Sequence, residues 1–328
     1  MKQNHMIIFA VFIIFLLLLG TLPADSKTNS FISEEPSQPD QPTSGPGGSN
    51  YSHFGVRKTR YGFGGNQYWI FEPFGPKPES APLIVFNHGY SAIHPICYRE
   101  WIHHLVKRGN IVVYPRYQRG LFLGFSRFNS NAIEAVKDAI ITLQSGTHVR
   151  PELDKFAITG HSLGGGITAN MAAQAADVGL PTPKAIMPVQ PAVISSENVD
   201  FANIPAETLM LVIVGEDDTV VGNKSGKIIF ENATQIPLSQ KDFVIQVTDT
   251  YGEPDIVADH FAPVCIPFFG SVDAMDYYST WKLFDALTDY AFYGINEEYC
   301  LGNTPEQRHM GLWSDGTPVK ELIITDIP

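Results

Sequence analysis

Ser162 stands in the run "FAITGHSLGGGITANMAAQAA", where a β-branched stretch stops at Gly160 and an alanine-rich helical pattern starts at Leu163. A serine hydroxyl is a weak nucleophile until a base takes its proton and a third group orients that base. Gly160-His161-Ser162-Leu163-Gly164 describes a strand-to-helix turn so tight that side chains at 160 and 164 would collide. Such a turn lifts the serine to the helix N-terminus, where the helix dipole and the Leu163 N–H favour a developing oxyanion. The five letters alone also arise as a glycine-rich turn. Their place, after a strand and opening a helix, is what the chemistry requires.

A serine on such a turn is followed along the chain first by an acid and then by a histidine. "LMLVIVGEDDTVV" gives a strand over Leu209–Val214, a turn at Gly215 and two candidate acids, Asp217 and Asp218. Beyond Asp218 only His260 and His309 remain. His260, in "VADHFAPV", follows the strand pattern Phe243–Val247 through a loop and is the expected base. His309, in "EQRHMG", lies after the last long helix and reads as a surface or packing residue. A second oxyanion donor must come from the loop after an earlier strand. "FNHGYSA" occupies that place, so the Tyr90 N–H is the expected donor, with the Tyr90 and Phe261 rings lining the cleft. His88 reads as shaping that loop, His161 as packing behind the turn, and the adjacent His103 and His104 as solvated.

The elements that must hold these groups alternate. Leu83–Phe86, Ile111–Tyr114, Lys155–Thr159, Lys184–Pro188, Leu209–Val214 and Phe243–Val247 read as strands apolar on both faces. Helical spacing appears over Tyr98–Arg108, Asn131–Leu143, Leu163–Asp177 and within Met275–Tyr293. Strands buried on both faces and alternating with helices predict a mostly parallel sheet with helices on both faces. Gln67–Phe71 is expected as an antiparallel edge strand. The connection Val189–Met210 has room for one helix while crossing the sheet, which predicts no large cap domain.

The chain has 328 residues, is 44% hydrophobic and carries a formal charge of −12, so a basic nucleic-acid footprint is not expected. Residues 1–24 show a positive start, an apolar run over Met6–Leu19 and small residues ending at Ala24. This reads as a signal peptide or N-terminal membrane anchor, placing the protein in the secreted fraction or on the outer face of the cytoplasmic membrane. Residues 25–50, rich in Ser, Pro, Gly and Gln, read as a disordered tether, and residues 51–328 as one folded domain. Of the three cysteines, Cys265 and Cys300 are the expected disulfide and Cys97 the unpaired thiol.

"HGYSA", "GHSLGGG", "GEDDTVV" and "DHFAP", in this order, resemble the α/β-hydrolase superfamily, and within it the dienelactone hydrolase/chlorophyllase-like and bacterial cutinase-like (polyester hydrolase) group. The resemblance implies an oxyanion loop, nucleophile elbow, acid loop and histidine loop in turn. It selects Asp218, because Gly215-x-x-Asp218-x-x-Val221 matches the superfamily's arrangement. Ala192 stands after Pro191 where the polyester hydrolases carry a tryptophan, and Leu163 follows the serine where they often carry methionine. The implied function is an exported serine hydrolase acting on small or polymeric carboxylic esters through Ser162, His260 and Asp218. No metal or organic cofactor is implied. An amidase or peptidase with the same triad, and a catalytically silent tethered binding protein, are the alternatives.

Overall fold

The computed structural model describes residues 35–120, 127–193, 199–266 and 270–328. Nine strands form one sheet: β1 (Gly55–Tyr61), β2 (Tyr68–Phe74), β3 (Ser80–Asn87), β4 (Ile111–Pro115), β5 (Arg150–His161), β6 (Ala185–Val189), β7 (Leu209–Gly215), β8 (Lys241–Gln246) and β9 (Ile323–Thr325). Their spatial order is β1-β2-β4-β3-β5-β6-β7-β8-β9. The six strands from β4 to β8 run parallel. Antiparallel β1, β2 and β9 close the two sides. This is the α/β-hydrolase fold.

The apolar strands are apolar because both of their faces are covered. Leu83, Val85, Ile111 and Val113 pack with α2 (Phe128–Leu143), α3 (Leu163–Val178) and α4 (Lys224–Asn232). The alternate residues Ile84, Phe86, Val112 and Tyr114 face the other way, onto α1 (Arg99–Lys107) and α5 (Lys282–Tyr293), which a π-turn over Asp276–Trp281 precedes. In-register parallel pairing, such as Ile158 with Ile186 and Val85 with Val113, brings the carboxyl ends of these strands to one edge. Loops leaving that edge can therefore converge, as they do in open α/β sheets generally.

Several expectations change. Gln67–Phe71 belongs to a strand, β2, but not to the edge. The charged segment β1 lies outside it, with Arg57 opposite Glu72 and Lys58 opposite Phe71. The compact unit begins at Pro36 rather than at residue 51. Residues 36–50, expected as a tether, are tied down by polar contacts. The Gly47 N–H donates to Asp285 Oδ2 at 2.7 Å. Gln38 Nε2 donates to the Pro254 and Asp255 carbonyls, and the Glu253 N–H to the Pro36 carbonyl at 3.0 Å. A Cβ on Gly47 would lie 2.1 Å from the Tyr277 carbonyl oxygen, so this approach requires glycine.

Asp285 also accounts for His104, which is buried rather than solvated: its Nε2 lies 2.8 Å from Asp285 Oδ2, and its ring stacks on Trp281. The C-terminal residues wrap one side of the sheet. Trp313 is buried and donates Nε1–H to Asp249 Oδ2 at 3.1 Å, and β9 extends β8. Lys282 Nζ, buried, donates to the carbonyls of Glu306, Gln307 and His309 and so closes α6 (Pro305–Arg308).

The three cysteines are thiols, and the expected Cys265–Cys300 bond is not present. The reason is topological. Cys300 is buried beside the start of β8, where Gln307 bridges its carbonyl to Asp242. Cys265 lies against Cys97, beyond the carboxyl end of β3. The two sit at opposite ends of the strands. Residues 1–24, expected to direct export, lie outside the described residues. Among the described residues no helix is long and apolar enough to cross a membrane.

Candidate active site

Ser162 sits between β5 and α3 with φ 58° and ψ −124°, a conformation costly for any residue with a Cβ. The surroundings hold it there. Its N–H donates to the Val189 carbonyl at 2.9 Å, and its carbonyl accepts from Gly165, Gly166 and Ala192. The flanking glycines have no room for a side chain. A Cβ on Gly160 would meet the Asn87 and Gly164 carbonyl oxygens at 2.6 Å, and one on Gly164 would meet Asn87 O at 2.1 Å. The turn thus requires hydrogen at both positions, as the sequence predicts.

His260 reaches Ser162 from the loop after β8. Its Nε2 lies 3.0 Å from Ser162 Oγ and its Nδ1 2.8 Å from Asp218 Oδ2. All three side chains are largely buried. Asp218 Oδ1 accepts the Val220 and Val221 amides at 2.9 and 3.0 Å, which leaves Oδ2 aimed at the imidazole. Burial raises the Asp218 pKa, but the hydrogen bond from His260 and those two amides outweigh it and hold the carboxyl below its usual range. Asp217 turns away and accepts from the Thr248 hydroxyl at 2.6 Å, pinning the segment after β8. His309 packs edge-on against Tyr278 and takes no part in this group.

Tyr90 follows Gly89, whose Cβ, if present, would lie 3.4 Å from Ser162 Cβ. The Tyr90 backbone therefore borders the serine. Leu163 opens α3, and the first amides of a helix have no carbonyl partner within it. The Phe261 ring meets the His260 ring edge-on at 5.7 Å. His88, stacked on Tyr117 at 4.0 Å, spans the Gly89 and Arg116 carbonyls.

Behind these residues lies a chain of hydrogen bonds that sequence reasoning missed. Gln190 Nε2 donates to the Asp259 carbonyl at 2.6 Å, so its Oε1 faces His161 Nε2, 3.1 Å away, and must accept. His161 therefore carries its proton on Nε2, and Nδ1 accepts from the Tyr98 hydroxyl at 2.8 Å. The Tyr98 oxygen in turn accepts the Gly89 N–H at 3.0 Å. Burial, reinforced by His260 with its ring centre 4.7 Å away, pushes the His161 pKa down to about 3, in keeping with a neutral ring. The anchored residues Gly89, His161 and Asp259 each immediately precede Tyr90, Ser162 or His260.

Gln190→Leu keeps the volume but strands the His161 Nε2–H and frees the Asp259 carbonyl. We expect a loss of about 1–3 kcal/mol in urea unfolding. An unchanged unfolding free energy would show that these bonds contribute nothing net.

Residues 70–201 match the family model for chlorophyllase, a family within the α/β-hydrolase superfamily. The matched span runs from within β2 through β6 and includes Tyr90, Ser162 and Leu163; it ends before Asp218 and His260. No curated protein matches the chain. Fold and match together point to a hydrolase of the α/β-hydrolase class that acts on esters.

Proposed function

We propose that this chain is an exported serine hydrolase that cleaves carboxylic esters by way of an acyl-enzyme. The observation that carries the reading is one buried imidazole spanning a strained serine and a carboxylate, at 3.0 and 2.8 Å. Ser162 Oγ attacks the ester carbonyl carbon and passes its proton to His260 Nε2. Asp218 fixes the Nδ1–H tautomer and stabilises the imidazolium. The Tyr90 and Leu163 amides receive the developing oxyanion. The C–O bond to the alcohol breaks and the Nε2 proton leaves with the alcohol. Water then repeats the sequence on the acyl-serine and releases the acid. A fluorophosphonate, which traps an activated serine, tests this directly. The reading requires stoichiometric labelling at Ser162, and labelling at any other serine, or at none, overturns it.

The substrates we assign are soluble short- and medium-chain esters, together with accessible polyester chains at the same site. Between β6 and β7 the described residues hold only a single 3₁₀ turn, Phe201–Asn203, rather than a helical cap. An enzyme without a moving lid needs no lipid surface to open it. Rates on a p-nitrophenyl ester series should therefore pass through the substrate's solubility limit without a jump. A sharp rise at that limit would refute the lidless reading.

A further inference from the structure

We propose that Cys97 and Cys265 form a disulfide site joining the segment after β3 to the loop that carries His260. The Cys265 N–H donates to the Cys97 carbonyl at 2.9 Å. Cys265 Sγ lies 3.4 Å from that carbonyl oxygen and 3.6 Å from that of Ile96. That backbone bond holds the two residues in direct contact. A disulfide spans Cα separations of about 4.4–6.8 Å, a range that two directly hydrogen-bonded residues can meet. Both residues are partly exposed, within reach of a small oxidant, whereas Cys300 is buried with its Sγ against the Asn296 and Glu297 carbonyls.

The oxidant is a small disulfide such as oxidised glutathione. The thiolate of Cys265 attacks it, one glutathione thiolate leaves, and a mixed disulfide remains. The Cys97 thiolate then attacks the Cys265 sulfur, forming the protein S–S bond and expelling the second glutathione. The two thiol protons end on the two glutathiones, so two protein thiols are oxidised as one glutathione disulfide is reduced. The order follows from the surroundings. Burial pushes both thiols up, Cys97 to about 11, while the Arg99 and Glu100 amides at the start of α1 favour the thiolate of Cys265. A thiol of such high pKa is a poor leaving group, so the finished bond resists reduction.

Cys265 lies five residues after His260 and Cys97 seven after Tyr90. The bond therefore staples together two loops of the proposed active site. That consequence rests on the proposed function; the cross-link itself does not.

The test counts thiols in denaturant. Protein purified under reductant should return three. After prolonged equilibration with oxidised glutathione at about pH 8.5, where more of each raised thiol is ionised than at neutral pH, the count should fall to one. A non-reduced peptide map should join the peptides bearing Cys97 and Cys265. Cys300→Ser should leave the pair able to form, and Cys97→Ser or Cys265→Ser should abolish it. A link through Cys300, stable glutathione adducts in place of the bond, or three thiols remaining would each overturn the proposal. An inactive enzyme would still return the same thiol count, so the two readings fail separately.

Discussion

Replacing Ser162 with alanine is expected to lower kcat for a p-nitrophenyl ester by about 10⁴- to 10⁶-fold, because the members of a triad act as a unit and little remains once one is gone. Alanine removes one oxygen and leaves the backbone at 162 unchanged, held by the Val189 carbonyl and the Gly165, Gly166 and Ala192 amides. The thermal midpoint should therefore stay close to that of the parent. His260→Ala should cost nearly as much activity. His309→Ala should cost almost nothing, since that ring packs on Tyr278 away from the serine. Activity surviving Ser162→Ala, or lost in His309→Ala with His260→Ala active, would assign the chemistry to other residues.

The second large effect separates two adjacent aspartates. Asp218→Asn keeps the size of the side chain and an oxygen for the Val220 and Val221 amides, but turns an NH₂ toward His260 Nδ1. The imidazole must then accept at Nδ1, which places its proton on Nε2, pointing at Ser162. A base that already holds its proton cannot take another from serine, and the expected loss in kcat is on the order of 10⁴-fold. Asp217→Asn keeps an oxygen for the Thr248 hydroxyl and should change kcat less than about threefold, in line with other surface changes. Equal, small losses in both variants would place the acid elsewhere.

The contrast between these neighbours also shows what the sequence could reveal. The elbow and the loop after β7 were legible because their signals are local. At the elbow and after β7 a β-branched strand, a turn and the candidate residue follow one another within about ten positions; His260, further from its strand, follows from chain order, and parallel pairing brings the strand ends together without further instruction. Gly160 and Gly164 announce their own crowding. The features that were misread depend on partners far along the chain. Residues 36–50 have too few apolar groups to suggest packing, and they are held by backbone and amide contacts to Asp285 and to residues 253–255. His104 looked solvated because the carboxylate that pays for its burial lies 181 positions later. The cysteine pairing failed for the same reason: position in the sequence says nothing about which end of the sheet each thiol reaches. Gln190 gave one faint signal, a polar residue directly after the apolar strand β6.

The bonds running from Gly89 through Tyr98, His161 and Gln190 to Asp259 make His161 a built-in spectroscopic reporter. Its two ring nitrogens should give ¹⁵N resonances of opposite character: Nε2 protonated, with a slowly exchanging proton visible in water, and Nδ1 bare. With its pKa pushed down to about 3, the pair should hold still in a pH titration across the neutral range. A ligand that displaced either neighbouring loop would shift these signals without touching the ring. Loop geometry could thus be followed in solution from a buried ring behind Ser162.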